Sequence, residues 1–138
     1  MRRFVLDASV ALAWCFAAER TPQVVAIESR MLTESVVVPA LWSLEVSNVL
    51  VMSERRQRIT PAERVRLVQT LNSYPVQVDL ECVDLAHLTL ADLARQHHLT
   101  VYDAAYLEVA TRLSLPLATL DEPRCSAARA QRVTLLIE

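Results

Sequence analysis

A chain of 138 residues has room for one hydrophobic core, burying roughly two-thirds of its extended-chain surface, and not for two. Its 53% hydrophobic and 22% charged content excludes an intrinsically disordered chain. Fourteen basic against 16 acidic residues give a net charge of -2, so no overall field draws the protein to nucleic acid or anionic lipid, and any such binding must be local. Every basic residue is Arg, and there is no Gly. A glycine-rich phosphate loop is therefore excluded, and with it P-loop and Gly-rich dinucleotide sites, because both bring backbone closer to phosphate than a Cβ allows. Cys15, Cys82 and Cys125 have no short spacing, so neither a disulfide framework nor a Cys-rich zinc site is expected, and all three read as buried thiols.

In chain order, Phe4-Val5-Leu6 reads as a first strand, and Asp7-Ala8-Ser9 opens an Ala-rich helix through Ala18. Asp7 interrupts the apolar stretch a signal peptide would need, so the segment reads as mature protein. Thr21-Pro22 starts a helix to about Glu34, since Pro suits the first helical position, and Val36-Val37-Val38 is a buried strand closed by Pro39. Helices are expected over Leu41 to Arg55 and, after Thr60-Pro61, to about Ser73, as an antiparallel pair. Val76-Gln77-Val78 is a weak strand, followed by one helix from Val83 to His97 with Leu85, Leu88 and Ala91 on a single face. A helix over Val101 to Leu113, a strand at Leu117-Ala118-Thr119, a helix from Pro123 to Ala130 and a strand at Val133–Ile137 complete the chain. Short apolar strands alternating with helices predict a single α/β domain over residues 1–138, with a mostly parallel sheet of about five strands in a three-layer α/β/α sandwich. No apolar run is long enough to span a bilayer, so a soluble, cytoplasmic protein with no membrane contact is expected.

In such sheets ligands bind beyond the carboxyl ends of the strands, where Asp7 and Asp121 fall. Helix capping explains either acid equally well, because each precedes a helix. Glu45 stands among Leu41, Trp42, Leu44, Val46, Val49 and Leu50 and needs a partner: an Arg, or a narrow polar stripe shared with Asn48 and Met52. Asp103 lies in a first helical turn, where an acid also complements the helix dipole. Taken together, the four form a cluster that requires a cation, since two anions about 4 Å apart repel by roughly 1 kcal/mol in water and about 4 at an effective dielectric of 20. An all-oxygen set favours Mg²⁺, with Mn²⁺ as a substitute, over zinc. His97, His98 and His87 read as structural or surface residues.

These segments resemble the PIN-domain nucleases, and within them the VapC-type toxins of toxin–antitoxin pairs. Phe4-Val5-Leu6-Asp7-Ala8-Ser9 is similar to the first motif of that family. Pro39 to Leu50, with Glu45 and Asn48, is similar to the second, Val101-Tyr102-Asp103-Ala104-Ala105-Tyr106 to the third, and Leu117-Ala118-Thr119-Leu120-Asp121 to the fourth. Arg124 stands where the family usually has an apolar residue and Ser114 where it often has Gly; both departures are expected to affect packing and turns rather than ligands. The resemblance implies Mg²⁺-dependent cleavage of RNA, homodimers, a cognate antitoxin and a higher toxin–antitoxin assembly. Asp7, Glu45, Asp103 and Asp121 would be the catalytic metal ligands, steadied through hydrogen bonds by Ser9, Asn48 and Thr119, at about 10 to 100-fold when such support is lost. Arg55, Arg56, Arg58 and Arg124 are candidate phosphate contacts, with Arg129 and Arg132 nearby in sequence; each could equally cap a helix or solvate the surface. Two other functions fit the same residues: an RNA-processing nuclease without an antitoxin, and a non-catalytic module whose acids bind an Arg-rich partner.

Overall fold

The computed structural model describes residues 2–138. Among these residues four strands, β1 (Arg3–Leu6), β2 (Ser35–Pro39), β3 (Val76–Asp79) and β4 (Leu117–Ala118), form a wholly parallel sheet in the order β3-β2-β1-β4. Successive residues Phe4-Val5-Leu6 and Val36-Val37-Val38 are all buried, so β1 and β2 are covered on both faces. That two-sided burial explains why these strands are continuous apolar runs rather than alternating ones. β3, at the edge, leaves Gln77 and Val78 exposed, which accounts for its weak apolar signature.

Among the described residues, eight α-helices connect and cover the strands: α1 (Ala8–Cys15), α2 (Pro22–Arg30), α3 (Leu41–Arg55), α4 (Pro61–Asn72), α5 (Glu81–Leu85), α6 (Ala91–His97), α7 (Val101–Leu113) and α8 (Glu122–Ala130). α7 lies across β2, β1 and β4, and α5, α6 and α8 pack on it, whereas α1 packs against α2 and α3, and α3 against α4. The continuously buried run from Ala104 to Ala110, with three alanines, lets α7 sit close on the sheet. Thr21, Thr60 and Thr100 each cap a helix by accepting the backbone N–H three residues on, at 3.3, 3.1 and 3.1 Å.

The structure corrects four expectations. The segment Val133–Ile137 contributes only a single bridge, Leu135 to Leu117, because β4 is itself two residues long and offers little ladder to extend. The helix expected over 83–97 is broken by a π-helical turn at Ala86–Leu90. The extra residue rotates the apolar face by about 100°, leaving Leu88 77% exposed and burying Leu90. α1 and α2 stop short of Ala18 and Glu34, in a 3₁₀ turn at Ala17–Glu19 and in turns after Arg30. Of the three thiols, all free, Cys82 and Cys125 are buried but Cys15 is half-buried; burial pushes it up to about 11.

A chain without Gly still has to end its helices. Gln57, His98, Ser114 and Arg132 adopt positive φ, at 62°, 54°, 54° and 58°, each at or just beyond a helix C-terminus. Left-handed geometry is unfavourable for any residue bearing a Cβ. We expect Ser114→Gly to stabilise the protein by about 1 kcal/mol, seen as a higher urea midpoint at unchanged slope.

Candidate active site

Strand order places the candidate site. From β1 the chain moves to β2 and β3 on one side, then returns to β4 on the other, so the connections diverge between β1 and β4. Parallel sheets open a crevice at the carboxyl ends of the strands at such a point. Asp7 follows β1 there, its N–H extending the ladder to the Ala118 carbonyl at 2.9 Å. Thr119 and Asp121 follow β4 beside it. Asp103, in the first turn of α7, and Glu45, in the second turn of α3, reach the same crevice, so four segments distant in sequence bring the four acids together.

Their common partner is Arg124, on the first turn of α8. Its Nη1 pairs with Asp7 Oδ1, its Nε lies 2.6 Å from Asp103 Oδ1 and 3.8 Å from Asp121 Oδ2, and its Nη2 lies 3.4 Å from Glu45 Oε2. The guanidinium also stacks over the Tyr106 ring at 4.4 Å. Arg124 is 8% exposed. The expectation that Arg124 would affect packing rather than ligands is therefore corrected: this side chain fills the centre of the acidic cluster. A five-donor planar fork on a long stem can reach several carboxylates at once, and sequence spacing gives no hint of that reach.

Asp7 is the deepest of the acids, with no exposed surface, and burial pushes its carboxyl upward. Arg124, Thr119 and Ser9 pull it back. Thr119 Oγ1 donates to Asp7 Oδ2, as does Ser9 Oγ at 3.0 Å, while Ser9 Oγ accepts from the Leu120 N–H at 3.0 Å and so ties β4's exit to the head of α1. Thr119 Oγ1 in turn accepts from the Asp121 N–H at 3.1 Å. Asp7 and Asp121 also act as helix caps, accepting from the backbone N–H groups of Ser9 and Arg124. Capping and clustering are thus both satisfied by the same carboxylates.

Tyr106, which sequence reasoning did not place in the site, donates its hydroxyl to Glu45 Oε1 at 2.6 Å. Burial, with Asp7 and Glu45 nearby, raises its pKa and keeps it a donor. Its signal was its position three residues after Asp103, on the same face of α7. Asn48 is exposed one turn beyond Glu45 and bonds none of the four acids, so its expected supporting role has no counterpart here. Arg55, Arg56 and Arg58 are exposed at the far end of α3, about 15 Å along the helix from Glu45. Arg58 stacks on Phe16 at 4.4 Å.

The donor chemistry fits a hard divalent cation: four carboxylates, no thiol and no imidazole. Among the described residues, no three acids are spaced to share an ion as they stand, because they are arranged around the guanidinium. The site is graded in exposure, with the side chains of Asp7, Asp103, Glu45 and Asp121 at 0, 17, 32 and 38%, so it opens on the Glu45 and Asp121 side.

Next to it lies an apolar groove of about 420 Å³, lined by Leu41, Leu44, Val83, Leu90, Val101 and Tyr102 among others. Leu44 and Tyr102 immediately precede Glu45 and Asp103, and they are 75% and 65% exposed. Among the described residues, no helix is long and apolar enough to cross a membrane.

Three solved structures share this architecture. PAE2754 from Pyrobaculum aerophilum superposes with a TM-score of 0.68 at 23% identity, covering 91% of this chain and 79% of that one. FitAcB from Neisseria gonorrhoeae gives 0.66 at 17% identity over 96% and 95%, and VapBC2 from Rickettsia felis, bound to a DNA fragment from its promoter, gives 0.65 at 11% over 96% of each chain. At these identities the likeness is one of fold. No curated protein sequence matches the chain. The sequence pattern described as PIN domain matches residues 4–129, nearly the whole chain and all four acid-bearing segments, so the protein belongs to the PIN-domain family.

Proposed function

We propose that this protein is a Mg²⁺-dependent endoribonuclease of the VapC toxin type, acting in the cytoplasm and restrained by a cognate antitoxin. The observation that carries the reading is the convergence of Asp7, Glu45, Asp103 and Asp121, from four separate segments, on one cation position at the switch point of the sheet. Such a cluster is costly without a cation, and the family match spans every segment that supplies it. These four residues would hold Mg²⁺ or Mn²⁺, which when bound activates water and offsets the charge developing on an RNA phosphodiester.

The remaining residues position that set. Ser9 and Thr119 fix the rotamer of Asp7, and Tyr106 fixes Glu45. The open side between Glu45 and Asp121 admits a phosphate backbone, and Arg55, Arg56 and Arg58 lie about 15 Å along α3, where they can hold the strand farther from the cut. The antitoxin reading draws support from the apolar groove beside the acids, since an exposed apolar patch of this kind suits a partner's apolar segment. A homodimer, joined with the antitoxin in a larger assembly, belongs to the same reading.

Water attack in line on the phosphorus, rather than attack by the ribose 2′-hydroxyl, leaves 5′-phosphate and 3′-hydroxyl ends. Digestion of a defined RNA with Mg²⁺ should yield fragments that ligate directly through their 5′-phosphates. Fragments ending in a 2′,3′-cyclic phosphate would refute this chemistry.

A further inference from the structure

Arg124 meets the oxygens that a bound ion would need. Asp7 Oδ1, Asp103 Oδ1 and Glu45 Oε2 each accept from its guanidinium. The opposite oxygens of two of these acids are already committed, Asp7 Oδ2 to Thr119 and Ser9, and Glu45 Oε1 to Tyr106. An ion that engages Asp7 Oδ1 and Glu45 Oε2 together must therefore take the place where Arg124 now lies. A dication beside a guanidinium at contact distance would also place like charges together, whereas a fully buried Asp7 is costly to leave ionised with neither cation beside it.

We infer that Arg124 is a built-in competitor of the divalent ion: the four acids hold either its guanidinium or the metal, and binding one expels the other. This rests on the reading of those acids as the metal's ligands. The side chain has a way out, because Glu45 and Asp121 form the exposed rim and are its two longest contacts, at 3.4 and 3.8 Å. Its anchoring is also local. Arg124 sits three residues after Asp121, whose carboxylate caps the same turn, so the arm can swing outward while α8 keeps its N-terminal cap. Apparent metal affinity is then the intrinsic affinity reduced by the fraction of molecules in which Arg124 is out. A partner covering the site has no need to supply a cation of its own, because the chain already carries one.

The test is Mn²⁺ binding by titration calorimetry to wild type, Arg124→Leu and Arg124→Lys, with Mg²⁺ titrated into ¹⁵N-arginine-labelled wild type and followed by NMR. We expect Arg124→Leu to bind Mn²⁺ at least about tenfold tighter than wild type and to gain more thermal stability from it. The Arg124 Nε resonance, hydrogen-bonded to Asp103, should leave its position as Mg²⁺ saturates the protein. Arg124→Lys keeps the charge without the fork and should bind with intermediate affinity; with the NMR titration it carries the test if the leucine variant fails to fold. Equal affinities and an unmoved resonance in the saturated complex would overturn the competition alone. Absence of binding to every folded variant would overturn both it and the metal-nuclease reading.

Discussion

Asp103→Asn should cut RNA cleavage by at least about 100 to 1,000-fold while leaving the protein folded. Asp103 presents one oxygen to Arg124 at 2.6 Å. An amide oxygen still accepts that hydrogen bond, though without the charge, and Asp7 and Glu45 continue to hold the guanidinium, while α7 keeps its first turn, which Thr100 caps independently. What the variant lacks is one of the four negative charges that make the site a cation holder. Measured as single-turnover cleavage beside a thermal melt, the expected pattern is a collapsed rate at a nearly unchanged melting temperature. A loss of rate that tracked unfolding would assign Asp103 to structure rather than chemistry.

The second large effect lies away from the site and concerns stability. Arg112, near the end of α7, donates through Nη2 to Asp79 Oδ2 at 2.7 Å and through Nε to Glu108, and its Nη1 lies 3.2 Å from Glu81. Glu108 is 6% exposed, and Asp79 ends the edge strand β3. Arg112 thus fastens β3 and the start of α5 to the helix that spans the sheet. Arg112→Ala leaves Glu108 and Asp79 buried or nearly so without their cation. We expect a loss of about 3 kcal/mol, because removing one partner of a buried ion pair costs more than the pair itself contributes. In a chain of this size that corresponds to roughly a 10 °C fall in melting temperature. Arg112→Lys, which keeps the charge but cannot engage three carboxylates at once, should fall between the two.

Both effects bear on what could be read from the residues alone. The bounds of α3 and α7 follow from their apolar periodicity and, for α7, the Thr100 cap, and the structure places both helices over the expected residues. That Asp7 and Asp121 share an edge follows from each standing at the end of a short apolar run, since parallel strands deliver their carboxyl ends to the same side. Glu45 is legible as an acid in need of a partner because its neighbours are apolar.

The partner itself is not legible. Arg124 and Arg112 each act across long sequence separations, reaching carboxylates on other elements, and long flexible arms leave no periodic trace. Nor does the π-helical turn at Ala86–Leu90, where one inserted residue shifts the helical phase and exchanges Leu88 for Leu90 in the core. Val133–Ile137 misleads for the opposite reason. Its composition suits a strand, but pairing depends on its neighbour, and β4, two residues long, offers it a single bridge.

The most direct test of the account is incubation of the purified, folded protein, free of any inhibitor, with a total RNA pool in Mg²⁺ or Mn²⁺, beside the same reaction in EDTA. Cleavage is expected with either ion and none in EDTA. RNA left intact across both ions by a protein verified to be folded would contradict it, and the four acids would then stand as a binding site for an arginine alone.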